Sequence, residues 1–316
     1  MRPTAVLLLA TVSVGAGCRP DSSAAMSRKD SVTVTERTAR LAAALTQPVR
    51  DSIADSTADS SAAANVTERP PIAKWLLGSY LLEISGIALT SDGRLLAHAD
   101  EGARIFEIDY RGGRMVRTFD LGKEPVIGDF EGITAVNDTL YLLTSTGMLY
   151  QFQAGKDGSR VQYTKHDTGL KAECEFEGVA YDPSIRSLLL ACKNVYTKGP
   201  IQDSLVIHRW KLSGASDTVR SHLSVALAPI IGPNDWKNLH PSDITVDPTS
   251  GNYVLVAADE SALIEITPAG ELISARPLGP GLAHAEGVAV TKDNILIIST
   301  EGEAKLRAAV TLFRWR

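Results

Sequence analysis

CEFEGVAYDPSIRSLLLAC, residues 174–192, carries the reading of the whole chain. Residues 176–181 and 188–192 read as two short strands, and Asp182-Pro183 between them is turn chemistry, so the stretch predicts a β-hairpin. Its opening, EFEGVA at 175–180, is echoed four more times: EISGIA at 83–88, DFEGIT at 129–134, HPSDIT at 240–245 and HAEGVA at 284–289. The equivalent positions Gly86, Gly132, Gly178, Asp243 and Gly287 are 46, 46, 65 and 44 residues apart by subtraction. Repeats of about 40–50 residues built from short strands are the signature of a β-propeller, in which each repeat is one blade and its opening is the innermost strand.

Each repeat divides into three or four strand-like runs separated by Gly, Asp, Asn or Pro. The fifth is one strand short. The run AKWLLGSYLL at 73–82 precedes the first repeat and has no place in it, so it is expected to supply the missing outer strand. The fold expected is therefore an all-β, five-bladed propeller closed by strands from both termini, since a closed ring hides sheet edges. The alternative is six blades, with the longer third repeat hiding one; an insertion at 194–203 and a loop at 229–238 explain that length more simply.

A propeller gathers its repeat openings around one channel. Side chains two apart on a strand share a face. The residues just before the reference positions are Ser85, Glu131, Glu177, Ser242 and Glu286; two earlier stand Glu83, Asp129, Glu175, His240 and His284. Read as two stacked rings, they hold six carboxylates, two imidazoles and two hydroxyls. So many like charges demand a compensating cation or protons. A hard divalent ion with oxygen ligands, calcium or alternatively magnesium, suits a ring of carboxylates; zinc would take about four ligands including the histidines. The candidate metal ligands are Glu83, Asp129, Glu131, Glu175, Glu177, Asp243 and Glu286. The competing reading is a repeated strand-start device, solvated at the rim. Asp100-Glu101, Asp259-Glu260 and Thr300-Glu301 end second strands and would border the same mouth, with Lys193 neutralising part of the charge.

Catalytic signals are sparse: GxSxG, HExxH and Walker motifs are absent from the sequence. His240 and His284 are weak catalytic candidates, able to serve as bases beside a metal-polarised ester or lactone; otherwise they cap strand starts. Cys174 and Cys192 fall near each other at the open end of the third hairpin, so either a disulfide or two buried thiols is expected.

The 316-residue chain is 44% hydrophobic and carries a formal charge of −5 without a Lys/Arg cluster, which argues against a nucleic-acid surface. Residues 1–18 read as an export signal: Arg2, a twelve-residue apolar run at 5–16 too short to span a bilayer, then Gly15-Ala16-Gly17-Cys18. Lipidation at Cys18 is the favoured reading and an ordinary cleaved signal the other. The expected location is the periplasm or outer membrane, held to the membrane only by the lipid, with secretion as the alternative. Residues 19–71 are rich in Ser, Ala, Asp and Thr and read as a disordered tether; 72–316 is the folded domain.

Four stretches in order, EISGIALTSDGRLLAHADEGARIFEID (83–109), GDFEGITAV (128–136), HPSDITVDPTSGNYVLVAADESALIEITPAGELI (240–273) and AHAEGVAVTKDNILIIST (283–300), resemble the SdiA-regulated family of bacterial propellers. The resemblance covers about 82–316. It implies a five-bladed propeller distantly similar to NHL repeats, a bound calcium at a shared site and no established reaction. The matching positions are Ser85-Gly86, Asp129, Glu131-Gly132, Glu177-Gly178, Ser242-Asp243 and Glu286-Gly287. The chain departs from the family in its tether, its long third repeat and Asp243, where Gly is more usual. The function expected is a binding module of the cell envelope for a protein partner or small molecule. Similar phytase-like and gluconolactonase propellers hold open a metal-dependent esterase, lactonase or phosphodiesterase.

Overall fold

The computed structural model describes residues 65–199, 201–212, 221–302 and 307–316. The signal segment, Cys18 and the tether up to residue 64 lie outside the described residues. Five small antiparallel sheets stand in a ring, a five-bladed β-propeller. The chain enters with β1 (Ala73–Leu76). Blade 1 is β2 (Ile84–Leu89), β3 (Leu95–Ala99), β4 (Arg104–Asp109) and β5 (Arg114–Leu121). Blade 2 is β6 (Phe130–Val136), β7 (Thr139–Thr144), β8 (Met148–Gln153) and, after β9 (Arg160–Val161), β10 (Tyr163–Asp167). The sequence reads 161–167 as one outer strand. Instead β9 crosses back to pair in parallel with β5, extending blade 1, and only β10 completes blade 2.

Blade 3 is β11 (Cys174–Asp182), β12 (Ser187–Val195), β13 (Ser204–Lys211) and β14 (Ser221–Ala226). The turn at Asp182 has a local cause: its carboxylate accepts hydrogen bonds from Ser184 N and Oγ, at 2.8 and 2.6 Å, an Asx-turn. The connection to blade 4 carries the one short α-helix among the described residues, α1 (Ala228–Ile231). Blade 4 is β15 (Asp243–Val246), β16 (Tyr253–Ala257), β17 (Ala262–Ile266) and β18 (Leu272–Pro277). Blade 5 is β19 (Ala285–Val290), β20 (Ile295–Thr300) and β21 (Ala309–Arg314), with β1 as its outer strand, Trp75 opposite Val310. The long third repeat is thus a lengthened hairpin and a helical loop, and the count is five.

Packing begins earlier than the expected 19–71 boundary. Val66 and Thr67 are buried, Asn65 Nδ2 donates to Pro277 O at 2.6 Å, and Gly279 N donates to Thr67 Oγ1 at 2.8 Å. A single apolar residue among polar neighbours escapes a compositional reading of the tether, yet it fills the core between blades 4 and 5.

The core is distributed as five clusters of buried apolar side chains, one at each interface between neighbouring blades. Alternate residues of each strand face opposite neighbours, so both faces of a blade are apolar: in β20, Ile295 and Ile297 pack toward blade 1 while Leu296 and Ile298 pack toward blade 4. Each such side chain contributes about 1.5–3 kcal/mol on burial.

At the hub the innermost strands β2, β6, β11, β15 and β19 touch in sequence and close the circle. Glycine makes the approach possible. A Cβ on Gly132 would lie 2.9 Å from Val179 N, and one on Gly178 would lie 2.9 Å from Asp243 Cα. Both are closer than a side chain can stand to a neighbouring main chain.

Candidate functional site

Four of the five innermost strands carry an irregularity at the same place. The pairing register slips between Ile84 and Gly86, Phe130 and Gly132, Phe176 and Gly178, and Ala285 and Gly287. The residues passed over are Ser85, Glu131, Glu177 and Glu286. A β-bulge leaves one residue unpaired and re-aims its side chain. Here it turns one residue per blade toward the channel mouth. Ser242 holds the fifth position just ahead of β15, its N–H donating to Val256 O at 2.9 Å.

The two serines stitch blades together. Ser85 Oγ lies 3.0 Å from Phe130 O and 3.1 Å from Glu131 Oε2, and Ser242 Oγ donates to Ala285 O at 2.6 Å. The three glutamates come from blades 2, 3 and 5, and one cation lies among them, paired to Glu177 and within the field of Glu286. Lys193 Nζ, on β12, donates to Glu177 Oε1 at 2.6 Å. Burial pushes the Glu131 carboxyl up to about 9, with the Glu177 and Asp129 carboxylates adding to it and the Ser85 hydroxyl opposing. Burial likewise pushes Glu286 up to about 8, helped by Glu177 and Glu301 and opposed by Lys193. Glu177 is also raised by burial, against the pull of Lys193. For Lys193, burial disfavours the charge, but Glu177, Glu286 and Glu175 outweigh it and hold the ammonium above its usual range. Glu177 thus stands near enough to both Glu131 and Glu286 to raise each, with Asp129 adding to Glu131, and Glu301 and Asp259 to Glu286.

Most of the other expected ligands go elsewhere, because the bulge interrupts the two-residue alternation that stacked them beneath this ring. Glu83 is exposed on the approach to β2. Asp129 stays at the rim beside Glu131, whose carboxyl it raises, and accepts a short hydrogen bond from Ser145 Oγ. Glu175 accepts from Asn194 Nδ2 at 2.8 Å and Tyr196 Oη at 3.3 Å, bracing the open end of the β11–β12 hairpin. His240 is clamped: its N–H donates to Glu260 Oε2 at 2.9 Å, Nδ1 stands 2.8 Å from Glu260 Oε1, and Nε2 stands 3.0 Å from Asn238 Nδ2. With Nδ1–H donating to the carboxylate, Nε2 accepts from the amide, which engages both ring nitrogens. His284 is exposed at a positive φ of 55°, and its carbonyl accepts from Glu301 N at 2.9 Å.

Asp243 differs most from the expectation. It is 1% exposed, and both carboxylate oxygens accept main-chain N–H groups, from Ile244 at 2.8 Å and Val288 at 2.9 Å. The amide of Ile87 also lies in hydrogen-bonding reach. Its side chain therefore ties blade 4 to blades 5 and 1 across the hub, and metal ligation would take it from those amides. Burial holds its carboxyl well above the usual range even so.

Cys174 and Cys192 are disulfide-bonded, with Cα atoms 5.7 Å apart, across the hairpin that positions Glu175, Glu177 and Lys193. The sequence reading passed over His208, which lies beside them at 4% exposure. Only its position on an otherwise apolar strand signalled it.

Whether the ring suits a hard divalent cation turns on chemistry and spacing. The donors are carboxylate oxygens, as calcium requires. Glu131 and Glu286, raised to about 9 and 8, hold their protons near neutral pH, so a bound cation would have to displace those protons. Among the described residues, however, no three acidic residues bring a carboxylate oxygen each within 4.8 Å of one another. The ring fits such an ion in donor type, then, with water or modest side-chain movement completing the shell. A concavity of about 450 Å³ along Gln151, Phe152 and Tyr163 lies on the outer strands of blade 2, away from this mouth. Among the described residues no helix is long and apolar enough to cross a membrane.

The SdiA-regulated family model matches residues 234–311, which take in blade 4 and most of blade 5. No curated protein matches the chain. Among solved structures, glutaminyl cyclase from Myxococcus xanthus superposes with a TM-score of 0.53 at 15% identity, over 77% of this chain and 96% of that one. A gluconolactonase from Xanthomonas campestris gives 0.45 at 14% identity, over 73% and 72%. The PQQ-bound aldose sugar dehydrogenase from Streptomyces coelicolor gives 0.45 at 14% identity, over 76% and 98%. These neighbours are enzymes, and at such identities the likeness is one of fold.

Proposed function

We propose that the chain is an exported, lipid-anchored binding module of the cell envelope whose channel mouth takes a divalent cation of the calcium class. The observation that carries this reading is the placement of Glu131 and Glu286, each at a bulge, on either side of the Glu177–Lys193 ion pair, Glu177 raising both carboxyls. A bound cation would take the place of the protons on the raised carboxyls, link blades 2 and 5, and present an open coordination face to a partner or small ligand. Glu131 and Glu286, with Asp129 at the rim, are the residues that would hold it, and Glu177 remains paired to Lys193. Magnesium is the alternative ion. Export and anchoring at Cys18 rest on the sequence of residues 1–18 alone.

Calorimetric titration of the chelator-stripped chain with calcium tests the reading. We expect about one ion per chain and a chelator-sensitive rise in Tm, both lost in the Glu131→Gln/Glu286→Gln double variant. Equal melting with and without calcium would discard it.

A further inference from the structure

We propose that Cys174, Cys192 and His208 form a buried soft-metal site of Cys2His type, held shut as a disulfide and opened by two-electron reduction. Both sulfurs and one ring nitrogen of His208 lie within 4.8 Å of one another, the only such set of three His, Cys, Asp or Glu ligand atoms among the described residues. All three residues are buried, at 1%, 2% and 4% exposure. Cys174 and Cys192 belong to the core between blades 2 and 3, where His208 packs against Phe176, apart from the glutamate ring. His208, on β13, packs the edge of its ring against Phe176 at 5.9 Å and lies 5.7 Å from the ring of His222. A fourth donor is at hand: Glu173 Oε2 stands 3.8 Å from His208 Nε2, and its side chain is 39% exposed, giving the site a polar edge open to solvent.

Two thiolates, an imidazole and a carboxylate are the donor types zinc takes in four-coordinate sites. An aliphatic side chain would fill the place of His208 without burying polar nitrogens. The Cα separation of 5.7 Å permits a disulfide, and the same two strands can present both sulfurs to one ion about 2.3 Å from each. In the opening step, a thiolate of an external dithiol attacks one sulfur of the pair and breaks the S–S bond. Its second thiol resolves the mixed disulfide. The dithiol leaves as its own disulfide, having given two electrons, and the chain holds two thiols. Metal entry forms two metal–sulfur bonds and one metal–nitrogen bond and releases the two thiol protons.

The test uses the full chain, stripped of metal, in two forms: oxidised, and reduced with a dithiol then desalted without oxygen. Both are titrated with cobalt(II), whose thiolate charge-transfer absorption reports sulfur ligation, and then with zinc. We expect about one cobalt per reduced chain, displaced by zinc, and no such band from the oxidised chain. His208→Gln, with both thiols still countable and the oxidised Tm retained, should bind at least ~10-fold more weakly. Glu131→Gln should bind cobalt as the parent does, which separates this site from the channel mouth. Equal uptake by the oxidised and reduced chains, unchanged affinity in His208→Gln, or unfolding on reduction before metal is added would each overturn the proposal.

Discussion

Glu131 shows how one side chain can make stability depend on pH in an unusual direction. Its carboxyl goes from an ordinary value of 4.5 to about 9 in the fold, chiefly through burial. Below the lower value both states hold the proton. Between the two the unfolded chain releases it and the folded chain keeps it, so stability falls as pH rises through that window. Glu286, pushed up to about 8, acts in the same sense. Glu131→Gln keeps an oxygen for Ser85 Oγ and removes the ionisation. In chelator, urea titrations should find the variant more stable than the parent by at least about 1 kcal/mol near pH 8, with the difference closing near pH 4, because a tenfold difference in proton affinity between folded and unfolded chain corresponds to about 1.4 kcal/mol. A parent that gains on the variant as pH rises would mean the fold stabilises the ionised form. Asp243 makes a different use of the same charge type: three main-chain amides converge on it, so its oxygens hold blades together.

At the scale of the strand, the recurring glycine and the residue before it work as a pair. The glycine lets innermost strands approach, and the bulge at its shoulder lifts one side chain toward the mouth. Gly178→Ala would set a methyl 2.9 Å from Asp243 Cα and 3.0 Å from Ile244 N, where only main chain could yield. We expect a loss of about 1–3 kcal/mol by chemical denaturation, against less than about 0.5 kcal/mol for Gly232→Ala, whose methyl would meet open space. Equal costs would remove close approach as the reason for glycine. The echoed openings were legible because apolar pairs, turn residues and spacing all belong to local sequence. The gathering of Glu131, Glu177 and Glu286 was legible from ring closure. What escaped was set by hydrogen-bond register. A bulge leaves no mark on the periodicity of a six-residue strand, so Glu83, Glu175 and the histidines were stacked under the ring, whereas Glu83 and the histidines lie outside the strands and Glu175 turns to Asn194 and Tyr196. Asp243 looked like a ligand because its amide partners, Val288 and Ile87, come from other blades. Val66 was invisible for the same reason: its neighbours in blades 4 and 5 are distant in the chain.

A propeller is a ring of separate sheets, and its integrity depends on how the first and last blades meet. Here β1 lies along β21, from Ala73 opposite Leu312 to Leu76 opposite Ala309, so the two ends of the folded chain share blade 5. Bonds beyond the strands continue the seam: Ile72 N to Leu312 O at 2.7 Å, Leu77 N to Ala308 O at 2.8 Å, and Gly302 N to Leu82 O at 2.8 Å. Trp75 Nε1 reaches Tyr110 O in blade 1 at 2.6 Å, joining the outer strand of the last blade to its neighbour. At the other end Trp315 and Arg316 reach back to Asp247 of blade 4, at 3.1 and 3.0 Å. Without β1, the strand bearing Val310 and Leu312 would become a free apolar edge, which templates pairing with other chains. A chain beginning at residue 79 should therefore elute as oligomers on size exclusion and lose its single cooperative melt. The other outer strands, β10, β14 and β18, are edges too, yet they are half-buried and rich in Thr, Lys, His, Ser and Arg, whereas β21 is buried through five of its six residues. That contrast places the aggregation hazard at the seam. A truncated chain that stays monomeric, with a Tm within a few degrees of the parent, would show that the blade interfaces hold the ring without it.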